Sequence, residues 1–155
     1  MYTALLILHS WVRWAVLITG AYASIRALSA WLGKRDWTPA DARHGMFFVI
    51  AVDTQFLIGM LLYGVFSPIT RAAFQNMAVA MHVHMLRFYA VEHIMLGIMV
   101  VVAVHATRIA SRRAESGARN RRSAIGFLIA MVLILATTPW PFLEIGRPLF
   151  RLGTN

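Results

Sequence analysis

The stretch 80–93, AMHVHMLRFYAVEH, sets three histidines, an arginine and a glutamate into a chain that is otherwise strongly apolar. A second group lies near the N-terminus, where His9 and Arg13 stand one helical turn apart in LLILHSWVRW. Imidazoles can ligate iron or copper, and a phenol or carboxylate beside them can handle a proton. A b-type haem needs one imidazole from each side of the ring, both at one level on facing helices. A Cu(I) site instead combines thioether with imidazole, and Met81, His84 and Met85 can share one helical face for that purpose. A methionine stripe is also ordinary apolar filler for an interfacial helix.

The elements that position these groups follow from composition. Of the 155 residues, 59% are hydrophobic and 14% charged, where a soluble domain carries about 25% charged residues. That is too little polar surface to clothe a water-soluble globule, so the expected class is all-α, an integral membrane four-helix bundle forming one domain, 1–155. Apolar runs at roughly 4–32, 46–66, 86–108 and 124–141 each approach the ~20 residues that cross a bilayer as a helix. The N-terminal run lacks a basic n-region and is broken by Arg13, so it is read as the first span rather than a signal peptide. The net charge of +9 lies mainly in short connectors, which argues against nucleic acid as a partner. There is no cysteine, which excludes disulfides, thiolate metal sites and covalent c-type haem attachment. No nucleophile motif, phosphate loop or HExxH is present.

Connector one holds Lys34, Arg35 and Arg43, and connector three holds Arg108, Arg112, Arg113, Arg119, Arg121 and Arg122. This excess places both in the cytoplasm and both termini on the outer, periplasmic side of a bacterial inner membrane. Trp11, Trp14, Trp31, Trp37 and Trp140 fall near span ends, as interfacial aromatics do. The segment 71–85 is expected to be an amphipathic outer helix, with Met77, Met81 and Met85 on one face.

Depth along each span follows from a rise of about 1.5 Å per residue. His9 and His93 then come out at matching depth in the outer part of spans one and three. Gly97, one turn below His93, leaves room for a macrocycle; Arg13 and Arg87 can meet its propionates; Glu92 and Tyr89 can handle a proton. The competing expectation is structural: an Arg13–Glu92 ion pair with both histidines hydrogen-bonded around it. His105, about 18 Å below His93, is a poor second ligand and reads as interfacial. Asp53 lies inside span two, where a hydrogen bond to a neighbouring helix is the simplest role and proton handling the alternative. The TPWPF stretch at 138–142 ends span four.

With LHSWVRW opening span one, RFYAVEH opening span three and PWPF closing span four, the chain resembles small bacterial four-helix membrane proteins labelled cytochrome b-like. The resemblance implies haem b and membrane electron transfer, with His9 and His93 in the ligand positions. Di-haem relatives carry a second histidine pair, for which only His105 and His44 are present here, so one haem is the expectation. The expected function is therefore electron transfer near the outer face, coupled to quinol or to other subunits of a respiratory complex. The alternatives are a cofactor-free accessory or anchor subunit and copper handling on the outer side.

Overall fold

The computed structural model describes residues 1–151, except the side chain of Ser116. Helix α1 spans Tyr2–Leu32; α2 spans Pro39–Leu61 and runs on through a π-helical turn, Leu62–Phe66. Short helices α3 (Pro68–Gln75) and α4 (Met77–His82) follow. The next rod is continuous from α5 (His84–Arg87) through a second π turn, Phe88–Glu92, into α6 (His93–Arg112). Helix α7 (Ser116–Thr137) is the last. Four helices are long and apolar enough to cross a membrane: Tyr2–Leu32, Pro39–Phe66, His84–Arg112 and Gly117–Thr137.

These four rods pack antiparallel in a ring, α1 beside α2 and α7, and α6 beside α2 and α7. Connectors one and three therefore share one end, the basic end. The opposite end holds Met1 and the tail after Thr137, where Trp11 Nε1 donates to the Arg151 carbonyl at 3.2 Å. The interior is a column of Val16, Ala23, Ala27, Phe48, Val52, Val104, Phe127 and Ile134. Large apolar side chains also cover the outside: Ile25, Leu57 and Val132 are each more than 60% exposed. An apolar exterior of that extent suits lipid rather than water.

Glycines set how closely the rods approach. A Cβ at Gly20 would strike Phe48 and Met131, and one at Gly126 would strike Thr107, so side chains of α2 and α7 rest on the bare backbone of α1, and Thr107 of α6 rests on that of α7. At the basic end one carboxylate does most of the locking. Thr38 and Asp41 form a capping box ahead of α2, with Pro39 at its first position. Buried Asp41 also takes Arg26 Nε at 2.7 Å and Arg35 Nη2 at 2.8 Å. Asn120 of α7 donates to the Arg35 carbonyl, so α1, connector one, α2 and α7 are tied through one node.

One feature differs from the sequence expectation. The segment 71–85 is not one helix: Asn76 and the extended Val83 are non-helical and break it, leaving Met81 and Met85 on separate helices. The fourth rod ends at the TPWPF stretch as expected, its last helical residue being Thr137, because Pro139 and Pro141 cannot continue it; 138–151 folds back as an irregular tail across the bundle end.

Candidate functional site

The two π turns face one another near the terminal end of the bundle. A π turn pairs i with i+5, which shifts helix register and frees carbonyl groups from the ordinary ladder. Here those groups are used laterally: Tyr63 Oη donates to the Ala90 carbonyl at 2.8 Å, and Thr70 Oγ1 donates to the Tyr63 carbonyl at 2.8 Å. The helices α2 and α6 are thus joined by polar contacts at this level, and a cavity of about 190 Å³ opens beside them. It exceeds the ~150 Å³ of an apolar cavity that admits benzene.

His9 and His93 both line this cavity. Their ring centroids are 6.3 Å apart and the planes meet at 67°. Two metal–imidazole bonds of about 2 Å each, plus the distance from each nitrogen to its ring centre, span a comparable gap. The second ring nitrogens differ. His93 Nδ1 lies 2.9 Å from the Thr137 carbonyl oxygen. A carbonyl only accepts, so this bond puts the proton on Nδ1 and leaves the Nε2 lone pair available. Nδ1 of His9 is buried without a hydrogen-bond partner of good geometry, as is Oε1 of Gln55 on the same cavity wall. Buried orphans of this kind cost about 1–3 kcal/mol each, which a guest with polar or ligating atoms would offset. The His9 ring packs on bare backbone: a Cβ at Gly59 would stand 3.1 Å from His9 Cε1. At Gly97 a Cβ would meet only Phe56, at 3.9 Å.

The cavity mouth carries Arg13, Arg147, Arg151 and Tyr89, and no carboxylate is among the described residues lining it. The folded-back tail builds this rim. Arg13 donates to the Leu149 carbonyl at 2.7 Å and Trp14 Nε1 to the same oxygen at 3.0 Å. The Trp14 indole stacks on Phe150 at 5.1 Å. Across the mouth, Tyr89 Oη donates to the Ile145 carbonyl and accepts from Arg147 Nε, both at 3.0 Å.

The sequence-derived candidates divide accordingly. His9, Arg13, Tyr89 and His93 come together at the cavity. Arg87 and Glu92 do not: they pair with each other at 2.7 Å and stand outside the lining. The expected Arg13–Glu92 pair is not formed either, since the tail carbonyls take Arg13. Arg147 and Arg151 replace Arg87 at the rim. Sequence reading missed them because they sit in a tail with no periodicity, although two arginines in an otherwise apolar terminus were the available signal.

Of the copper set, His84 Nδ1 bonds Glu144 at 2.8 Å, and Met81 and Met85 are exposed on different helices. Asp53 bonds His105 Nε2 at 2.9 Å on the outside of the bundle, so the neighbouring-helix hydrogen bond expected for Asp53 is present and its partner is His105. His44 packs edge-on against Tyr22 and Phe47, far from a ligand role. The donor set that remains is two imidazoles on a cavity with a cationic mouth. Such a set can ligate a metal centre through its imidazoles and bind carboxylates at the mouth. Comparison of the chain with protein-family profiles, curated proteins and solved structures gives no match.

Proposed function

We propose that this protein is a multi-pass protein of the bacterial cytoplasmic membrane that passes single electrons through one b-type haem held between His9 and His93. The observation that carries this reading is the approach of the two rings, from α1 and α6, to 6.3 Å on a shared cavity. The basic end faces the cytoplasm and the cavity lies toward the outer face, in keeping with the positive-inside rule.

Bound haem would supply a one-electron redox couple. The residues of the chain do the rest. His93 is oriented by the Thr137 carbonyl, and that hydrogen bond raises its basicity as a ligand. His9 is held against the bare backbone of Gly59. Arg13, Arg147 and Arg151 offer charge-assisted donors to carboxylates at the mouth. Tyr89, whose hydroxyl donates to the Ile145 carbonyl and accepts from Arg147, is placed to accept a hydrogen bond from a quinol hydroxyl at the mouth.

An optical spectrum of the membrane-purified protein tests the proposal. A reduced-minus-oxidised difference with an α-band in the b-type region, lost in both His9→Ala and His93→Ala, is expected. A colourless protein after expression with ample haem sinks it. The second reading, a cofactor-free subunit of a larger complex, is favoured by one observation: the tail carbonyls already satisfy Arg13 and Tyr89 without a guest. It expects His9→Ala to alter assembly with larger partners and to leave no spectral change.

A further inference from the structure

Asp53 and His105 point away from the cavity, on the outside of the seam between α2 and α6. His105 Nε2 is 2.9 Å from Asp53 Oδ1, and the two side chains are 46% and 41% exposed. Around them the face is apolar, with Ile50 and Leu57 of α2 and Ile98, Val102 and Ile109 of α6 all exposed. Helix rise puts Asp53 about 18 Å above Asp41 at the basic end, well inside a hydrocarbon layer whose edge lies at that end. Ionisable side chains at such depth face a bundle interior or a water-filled cavity, because lipid solvates them poorly. This pair faces neither. It also keeps unused capacity: Asp53 Oδ2 and His105 Nδ1 make no hydrogen bond among the described residues.

We infer that this face docks a second copy of the chain, about a two-fold axis parallel to the helices. Such an axis brings the two Asp53–His105 pairs together at one depth by symmetry. His105 Nδ1 then meets Oδ2 of Asp53 of the partner subunit, so the ring nitrogen and carboxylate oxygen that each copy leaves unused are paired with one another, away from lipid. The chemistry selects a like chain over an unlike one, since each pair carries both a donor and an acceptor and is its own complement. A phospholipid phosphate does not serve, because it stays at the interface. The seam lies opposite α1 and α7 in the ring, so the dimer leaves the rim of the cavity open to its own partners.

The inference rests on the membrane reading but not on haem. The chain has no cysteine, so single cysteines report without background. Leu57→Cys, one turn from Asp53, and Val102→Cys, one turn from His105, are oxidised in native membranes, with Val132→Cys on the opposite side as comparison. We expect a disulfide-linked species of twice the monomer mass from the first two, at least fivefold above the third. Adding Asp53→Leu with His105→Leu, which removes both polar groups together, is expected to lower the yield severalfold. Equal linkage from Val132→Cys, a product of some other mass, or no product while the protein stays in the carbonate-washed membrane pellet overturns the dimer. Release of the protein by carbonate overturns the membrane reading with it.

Discussion

A single methyl group distinguishes the two glycines that flank the histidines. The His9 ring leans on Gly59 so closely that an added Cβ would stand 3.1 Å from its Cε1, whereas at Gly97 the nearest atom, on Phe56, is 3.9 Å away. Gly59→Ala is therefore expected to displace the imidazole and weaken haem retention several-fold, read as the haem-to-protein ratio after purification. Gly97→Ala should leave the imidazoles in place, since its methyl meets no protein atom closer than 3.9 Å, and any loss there comes from the methyl entering the cavity. The same logic separates the two arginines expected at the propionates. Arg13→Gln removes a charge from the cavity mouth and one of the two donors to the Leu149 carbonyl, so it should change both the reduction potential of the proposed haem and the protease sensitivity of the tail. Arg87→Gln acts on an outlying pair with Glu92 and should change neither.

Helix contacts depend on small residues and one carboxylate. Thr107 occupies the space a Cβ at Gly126 would need. Gly126→Ala should thus cost about 1–3 kcal/mol of overpacking, measured as a lower midpoint for unfolding in detergent. Thr107→Ala on that background removes Oγ1 and Cγ2 but leaves a Cβ 2.7 Å from the new methyl, so it should restore only part of the loss; a pair that stays strictly additive would refute the close contact. At the basic end, Asp41→Ala removes the N3 half of the capping box with Thr38 and leaves two guanidiniums without their shared acceptor. Both guanidiniums keep access to water, so a lower unfolding midpoint is expected chiefly from the lost cap. The π turns are the elements least visible in advance. Nothing in LYGVF or FYAVE distinguishes them from ordinary helix, and they arise because Tyr63 and Thr70 offer their hydroxyls to carbonyls that a straight ladder would have consumed.

For the whole molecule, the arrangement of charge makes a topological prediction. Phe142→Cys, in the tail where Phe142 is 82% exposed, should react with a membrane-impermeant maleimide on intact spheroplasts. Lys34→Cys should react only after lysis. The reverse pattern would invert the orientation and place the cavity on the cytoplasmic side.

Four long helices, their antiparallel order and the basic end were all readable from the chain, because apolar length and lysine or arginine in connectors are local properties that lipid and water act on directly. His9, Arg13, Tyr89 and His93 were readable too, since depth scales with position along a helix. What folding alone decided is which side chains meet across the bundle. Arg147 reaches the mouth only because the tail turns back at two prolines, Glu92 is drawn to Arg87 instead of Arg13, and Asp53 finds His105 on the outer face. Rotation about each helix axis and the path of an irregular tail depend on packing between distant segments, and no local pattern in the chain records them.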